Sequence, residues 1–189
     1  VLTLTNVQEA LQKYWNGQLI YGTYEDRFTI AQKFFTKFID ACYKYHTTSL
    51  YGSIMFNHVH EVRNELNPLA KNFVERMIKQ GEKPDGGTRM FTAIRAAADK
   101  LLESNRIHHF KNAVLRIIVI SDGNDEHCTK QEMTDVMNFL LENKIRVDGI
   151  IVSDDIAREL VAISRFTGGI SIFPRTLEEG LDFFNKEEF

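Results

Sequence analysis

The sequence predicts an α/β protein built on a doubly wound, mostly parallel sheet with helices on both faces. Three observations carry that prediction. Strand-like segments alternate with helical segments of ten or more residues along most of the chain, the order that βαβ units require. The run from Val114 to Ile120 is apolar at all but one position, as a strand covered on both faces must be. A second such run, Val147 to Val152, follows after one helix length.

The elements follow in order. Thr5 to Gln8 resembles a capping box, and Val7, Ala10, Leu11, Tyr14 and Trp15 then share one helical face. Gln18 to Gly22 is a short strand candidate. Phe28, Ala31, Phe35, Phe38 and Cys42 mark a long amphipathic helix over Asp26 to Tyr45. Leu50 to Phe56 reads as a strand and His58 to Val62 as a short edge strand. Pro68 suits the first turn of a helix running to about Gln80, because its missing N–H costs nothing there. Gly81 to Gly87 is a loop. From Thr88, the apolar positions Phe91, Ile94, Ala98 and Leu101 describe another helix.

After the central strand, Thr129 and Glu132 are spaced for a capping box on a helix that contains Met133, Val136, Met137, Leu140 and Leu141. Ile156 to Phe166 is helical and stops at Gly168-Gly169, as a left-handed C-cap would. Ile170 to Phe173 is a last short strand ended by Pro174, and Thr176 to Phe189 closes the chain with a helix. Residues 1–189 read as a single domain, with 1–17 as an N-terminal helical extension and no linker or repeat.

Composition narrows the function. The chain of 189 residues is 43% hydrophobic with a net charge of −3 and no long run of one sign, so composition points to neither nucleic acid nor lipid. No stretch is apolar enough to span a bilayer, which predicts no membrane insertion. The two cysteines lie far apart, Cys42 in a helical apolar pattern and Cys128 in a polar loop, a usage that suits a reducing compartment. An intracellular, cytoplasmic setting is the expectation, with an extracellular one as the alternative. The chain starts at Val1 rather than Met, which points to a piece of a larger multidomain protein.

Candidate chemistry gathers where the central strand ends. Open α/β sheets bind ligands outside the carboxyl ends of their strands, and there the chain reads Ser121-Asp122-Gly123-Asn124-Asp125-Glu126-His127-Cys128. Asp122 would meet a cation or a phosphoryl group, although Asp-Gly is also ordinary turn chemistry. Carboxylates with hydroxyls suit Mg²⁺ or Ca²⁺, whereas no second Cys or His stands at the spacing of a structural zinc site. Gly86-Gly87-Thr88 opens a helix, so Thr88 would cap it while its hydroxyl faces the same crevice.

At these residues the chain resembles the von Willebrand factor type A domain family. Ile118 to Gly123 looks like the family's fourth strand and acidic turn, and Gly86-Gly87-Thr88 like its glycine-threonine turn. Ser53 to Asn57 resembles its second strand, while Val147 to Val152 and Thr167-Gly168-Gly169 resemble its fifth strand and the turn before the last one. The resemblance spans Asp26 to Phe189 in the family's order. It implies a Rossmann-like binding module, not an enzyme, that engages another protein. In such modules a divalent cation, Mg²⁺ or Mn²⁺, sits at a metal-ion-dependent adhesion site where an acidic side chain of the partner completes the coordination. Carried over, the metal ligands would be Thr88 and Asp122, and the partner-binding face would include Gly87, Asn124, Asp125 and Glu126.

One part of the family pattern is missing. No Asp-x-Ser-x-Ser motif occurs, and no two serines in the chain are spaced by two. Where the motif belongs, the chain reads Gln18-Leu-Ile-Tyr-Gly-Thr-Tyr-Glu-Asp26. Three explanations stand side by side. The site is lost, or Thr23, Glu25 or Asp26 supply substitute ligands, or a stretch near Gly22 is missing from this sequence. A cation held by Thr88 and Asp122 alone would bind weakly, because the affinity of hard-cation sites follows ligand number and charge.

The rival class is an Mg-dependent phosphotransferase or hydrolase with Asp122 as nucleophile. It needs a lysine converging from a neighbouring strand end; Asp154 offers a second carboxylate, but no lysine is so placed. Neither a Gly-x-Gly-x-x-Gly nor a Gly-x-Ser-x-Gly motif is present. His58 and His60 would share one strand face, and His108-His109 precedes the central strand; both pairs read as edge or loop histidines before metal ligands.

Overall fold

The computed structural model describes residues 27–44, 48–78, 87–121, 125, 127–153 and 157–174. The expected N-terminal helix, the strand candidate at 18–22, the final helix after Pro174, and Asp122, Asn124, Glu126, Thr23, Glu25, Asp26 and Asp154 lie outside these residues. The described elements are α1 (Arg27–Lys44), β1 (Leu50–Phe56), β2 (His60–Pro68), α2 (Lys71–Ile78), α3 (Met90–His108), β3 (Leu115–Ser121), α4 (Lys130–Glu142), β4 (Ile145–Ile151), α5 (Arg158–Phe166) and β5 (Ser171–Ile172).

β3, β4 and β5 form a parallel sheet in that order, with Ile117 opposite Val147 and Ile150 opposite Ile172. Alternation along β3 divides the core. Ile117 and Val119 join a cluster with α3, α4 and α5, in which Phe91, Leu140, Leu160 and Ile163 are buried. Ile118 and Ile120 face the other way, onto a cluster with Phe34, Phe38, Ile39 and Cys42 of α1 and Phe73 and Val74 of α2. A doubly wound sheet reads this way because strands covered on both faces must be apolar at odd and even positions alike. Each fully buried Leu, Ile or Phe contributes roughly 1.5–3 kcal/mol of transfer free energy.

β1 and β2 form a separate antiparallel pair, and here the expectation for the second strand and the helix after it is corrected. The strand expected at His58 to Val62 instead runs nine residues, and Pro68 is its last residue, paired with Leu50, rather than part of a helix. α2 begins at Lys71, its first turn accepted by the Ala70 carbonyl from Phe73 N–H and Val74 N–H, each at 2.9 Å. The polar run Arg63-Asn64-Glu65 hid this strand; the Asn64 amide donates to the Ser53 hydroxyl across the pair at 2.7 Å. Proline is tolerated at a strand end, where no ladder donor is required.

The lower edge of the parallel sheet, where β3 to β5 begin, is fixed by a buried carboxylate. Asp148 is 1% exposed, pairs with the Arg116 and Arg146 guanidinium groups, and accepts the Ile170 N–H at 2.8 Å. α5 ends above it in a Schellman motif: Gly169 N–H reaches the Ser164 carbonyl at 2.7 Å and Gly168 N–H the Arg165 carbonyl at 3.2 Å, with Gly168 at φ +75°. A Cβ on Gly169 would lie 1.9 Å from the Val147 carbonyl oxygen, so β5 can leave the helix only through glycine.

Candidate functional site

The upper edge is assembled from three segments. β1 ends at Phe56, and the tip that follows is folded on itself: Val59 N–H donates to Asn57 Oδ1 at 2.9 Å and Asn57 N–H to the Val59 carbonyl at 2.8 Å. Arg89 N–H donates to the Asn57 carbonyl at 2.7 Å, which fastens the tip beside the Gly87-Thr88 turn. The third segment is the loop after β3.

That loop reaches back to α3. The helix starts at Met90, with Arg89 as its N-cap and no side-chain cap, so Thr88 stands one residue outside the cap position expected for it. The capping role falls to Asp125. Its Oδ2 accepts Phe91 N–H at 2.9 Å across 34 residues of sequence, and its Oδ1 accepts His127 N–H at 3.2 Å. A carboxylate at this point also complements the positive end of the helix. Thr88 and Asp125 are both half-buried. The His127 imidazole lies over Gly87, where an added Cβ would come within 2.2 Å of Nε2. The absence of a side chain at 87 is what admits the ring, and nothing in the sequence pointed to a histidine there.

Beyond the loop, α4 opens on the expected capping box. Thr129 N–H donates to Glu132 Oε2 at 2.8 Å, and Glu132 N–H donates to the Thr129 hydroxyl at 3.2 Å. The Thr129 backbone bond, with its hydroxyl, holds the Glu132 carboxyl below its ordinary value. Cys128 packs against the α3–α5 core, and its thiol is pushed up to about 11, first by burial and then by the nearby Asp125 and Glu132 charges. A thiol in that state is a poor metal ligand or nucleophile at neutral pH. Cys42 is likewise raised, chiefly by burial.

Not every candidate residue converges here. His58 sits in the exposed tip and His60 begins β2, so the two do not share a strand as the sequence suggested. His108 and His109 close α3 at the opposite edge, where His108 stacks on Phe110 at 5.4 Å between ring centres. Among the described residues no three His, Cys, Asp or Glu side chains come together as a metal would need. Among the oxygen donors of the described upper edge is the Thr88 hydroxyl, one residue before the N-cap of α3. Asp122 follows Ser121, the last residue of β3, in sequence. A hydroxyl with a following carboxylate is a hard-oxygen set that suits Mg²⁺ or Mn²⁺.

Comparison with known proteins agrees with this fold. A sequence model of the von Willebrand factor type A domain family matches residues 22–179. Among solved structures, an aerotolerance-related membrane protein from Bacteroides fragilis superposes with a TM-score of 0.68 at 15% identity, over 87% of this chain and 89% of that one. The conserved hypothetical protein BatB from Bacteroides thetaiotaomicron gives 0.66 at 12% identity, over 86% and 87%. A von Willebrand factor type A protein from Catenulispora acidiphila gives 0.65 at 18% identity, over 84% of this chain and 37% of that one. At these identities the likeness shows the fold. No curated protein sequence matches.

Proposed function

The chain belongs to the von Willebrand factor type A domain family, and from that membership we propose that it is a protein-binding module whose partner engages the upper edge, with Thr88 and Asp122 holding an Mg²⁺ or Mn²⁺ ion. Domains of this family generally act as interaction modules. The observation that carries the reading is the rim beside Thr88: the Asn57–Val59 tip is hydrogen-bonded to Arg89, and Asp125 to Phe91 at the start of α3 and to His127. Such a rim presents a preorganised surface.

In this reading Thr88 and Asp122 supply the protein's oxygen ligands, Thr23, Glu25 or Asp26 supply others, and an acidic side chain of the partner completes the shell. Gly87, Asn124 and Glu126 flank the contact. Asp125 holds the rim in shape through Phe91 and His127 rather than reaching outward. Neither Cys42 nor Cys128 is in a disulfide, which favours an intracellular setting.

The test is titration calorimetry of Mg²⁺ and Mn²⁺ into chelator-treated protein, with Thr88→Ala and Asp122→Ala alongside. Saturable binding that both substitutions abolish is the expected result. No heat from the parent protein, or binding indifferent to both changes, would leave the partner surface without a metal and overturn the cation part of the proposal.

A further inference from the structure

We infer that the lower edge of the parallel sheet is a peripheral docking surface for an anionic lipid bilayer, built by Ile107, Phe110, Val114, Phe166 and Ile170 among exposed Arg106, Lys111, Lys144 and Arg165. This goes beyond the binding function proposed for the opposite edge and does not depend on it.

Topology brings these residues together. In a parallel α/β sheet every helix-to-strand loop lies at the edge where the strands begin. The three such loops described here join α3 to β3, α4 to β4 and α5 to β5. The apolar side chains on them are out in solvent: Val114 is 82% exposed and Ile107 60%, with Phe110, Phe166 and Ile170 also exposed. Large apolar groups gathered on one face of a soluble protein mark a contact surface. They come from two separate crossings of the chain, Ile107, Phe110 and Val114 from the α3–β3 connection and Phe166 and Ile170 from the α5–β5 connection.

The charges around them are predominantly positive. Within residues 106–116, 141–146 and 165–170 there are six Lys and Arg residues against one acid, Glu142. Of the six, Arg116 and Arg146 are committed to the buried Asp148, whereas Arg106, Lys111, Lys144 and Arg165 are exposed. Cations with interspersed aliphatic and phenyl groups at one level match an anionic headgroup layer with acyl chains beneath it. Nucleic acid would use the cations but leave the aliphatic groups in water. No helix among the described residues is long and apolar enough to cross a membrane, so the contact is one of surface attachment.

The experiment is vesicle flotation of the full chain with phosphatidylcholine alone and with phosphatidylcholine containing phosphatidylserine. Flotation with the anionic vesicles and not with the neutral ones is expected. Lys111→Glu lowers the bound-to-free ratio at least about fivefold; Val114→Asp lowers it comparably, and both variants keep the parent's circular dichroism and melting. Thr88→Ala, at the far edge, floats like the parent. No flotation, equal flotation with both vesicles, or flotation unchanged by Lys111→Glu and Val114→Asp overturns the inference. So does a dimer, seen by sedimentation, that Val114→Asp dissociates while flotation stays absent, since the edge is then a contact between copies. Binding to polyglutamate without binding to vesicles overturns it in favour of an acidic protein partner.

Discussion

The two edges of one parallel sheet are made of the same strands and helices met at opposite ends, and their chemistry differs. At the upper edge the loops after β3 and β4 carry Asp122, Asp125, Glu126, Asp154 and Asp155 and no Lys or Arg over residues 121–128 and 152–157. At the lower edge the loops carry six basic residues against Glu142. Helix polarity favours this division, because helix N-termini point up and accept anionic side chains while C-termini point down and accept cations. The stabilising devices also differ. The lower edge is held by a buried ion cluster and a glycine turn; the upper edge is held by carboxylates capping the starts of α3 and α4. A rigid base and a lightly latched rim are what a binding module needs, since the parts that meet a ligand come from the less stable end of a fold.

The largest effect is expected at the base. Asp148→Ala leaves two guanidinium groups without their buried carboxylate and frees the Ile170 N–H. With Arg146 partly exposed, a loss of about 3 kcal/mol is expected, at the low end for a broken buried pair; urea unfolding measures it. Gly169→Ala forces a Cβ against the Val147 carbonyl and is expected to cost roughly 1–3 kcal/mol. A melting temperature unchanged by both variants would show that the lower edge is not the rigid one.

Smaller effects are expected at the rim. Asp125→Ala removes the cap of α3 and is expected to cost about 1 kcal/mol, with faster amide exchange at Phe91 and His127. Thr129→Ala is expected to cost a similar amount through α4. The pH dependence has a definite sign. Because the folded Glu132 carboxyl sits below its ordinary value, the capping box contributes fully at neutral pH, and its contribution is lost as the pH falls through the acidic glutamate range. Thr129→Ala should therefore matter less in acid than at neutrality, which thermal melts at the two pH values will read. The smallest effect is chemical: with its thiol pushed up to about 11, Cys128 should resist iodoacetamide at pH 8 until the protein unfolds.

The sequence made one of these edges more legible than the other. The fold class was readable because the apolar stretches Ile117 to Ile120 and Ile150 to Val152 mark β3 and β4, and α1, β1 and α4 lie within a residue or so of their expected bounds, set by helical spacing, strand patterning and the capping box. The long β2 was not readable, since Arg63, Asn64 and Glu65 break period-2 patterning on a partly exposed edge strand and Pro68 mimics a helix start. At the upper edge, Thr88 and Asp125 were visible as chemistry. Their division of labour was not, because the Asp125 to Phe91 bond joins residues 34 apart that no local pattern connects. The lower edge escaped notice altogether. A net charge of −3 averages the acidic rim against the basic base, and only topology sorts Arg106, Lys111, Lys144 and Arg165 onto one side.

The most direct measurement is paramagnetic line broadening by substoichiometric Mn²⁺ in an amide-resolved NMR spectrum. Loss of the Gly87 to Phe91 and Asp125 to Thr129 signals, with Arg106 to Val114 left sharp and Asp122→Ala restoring the lost signals, is the predicted result. Broadening spread over both edges, or confined to residues away from Thr88, would contradict a cation-bearing upper rim.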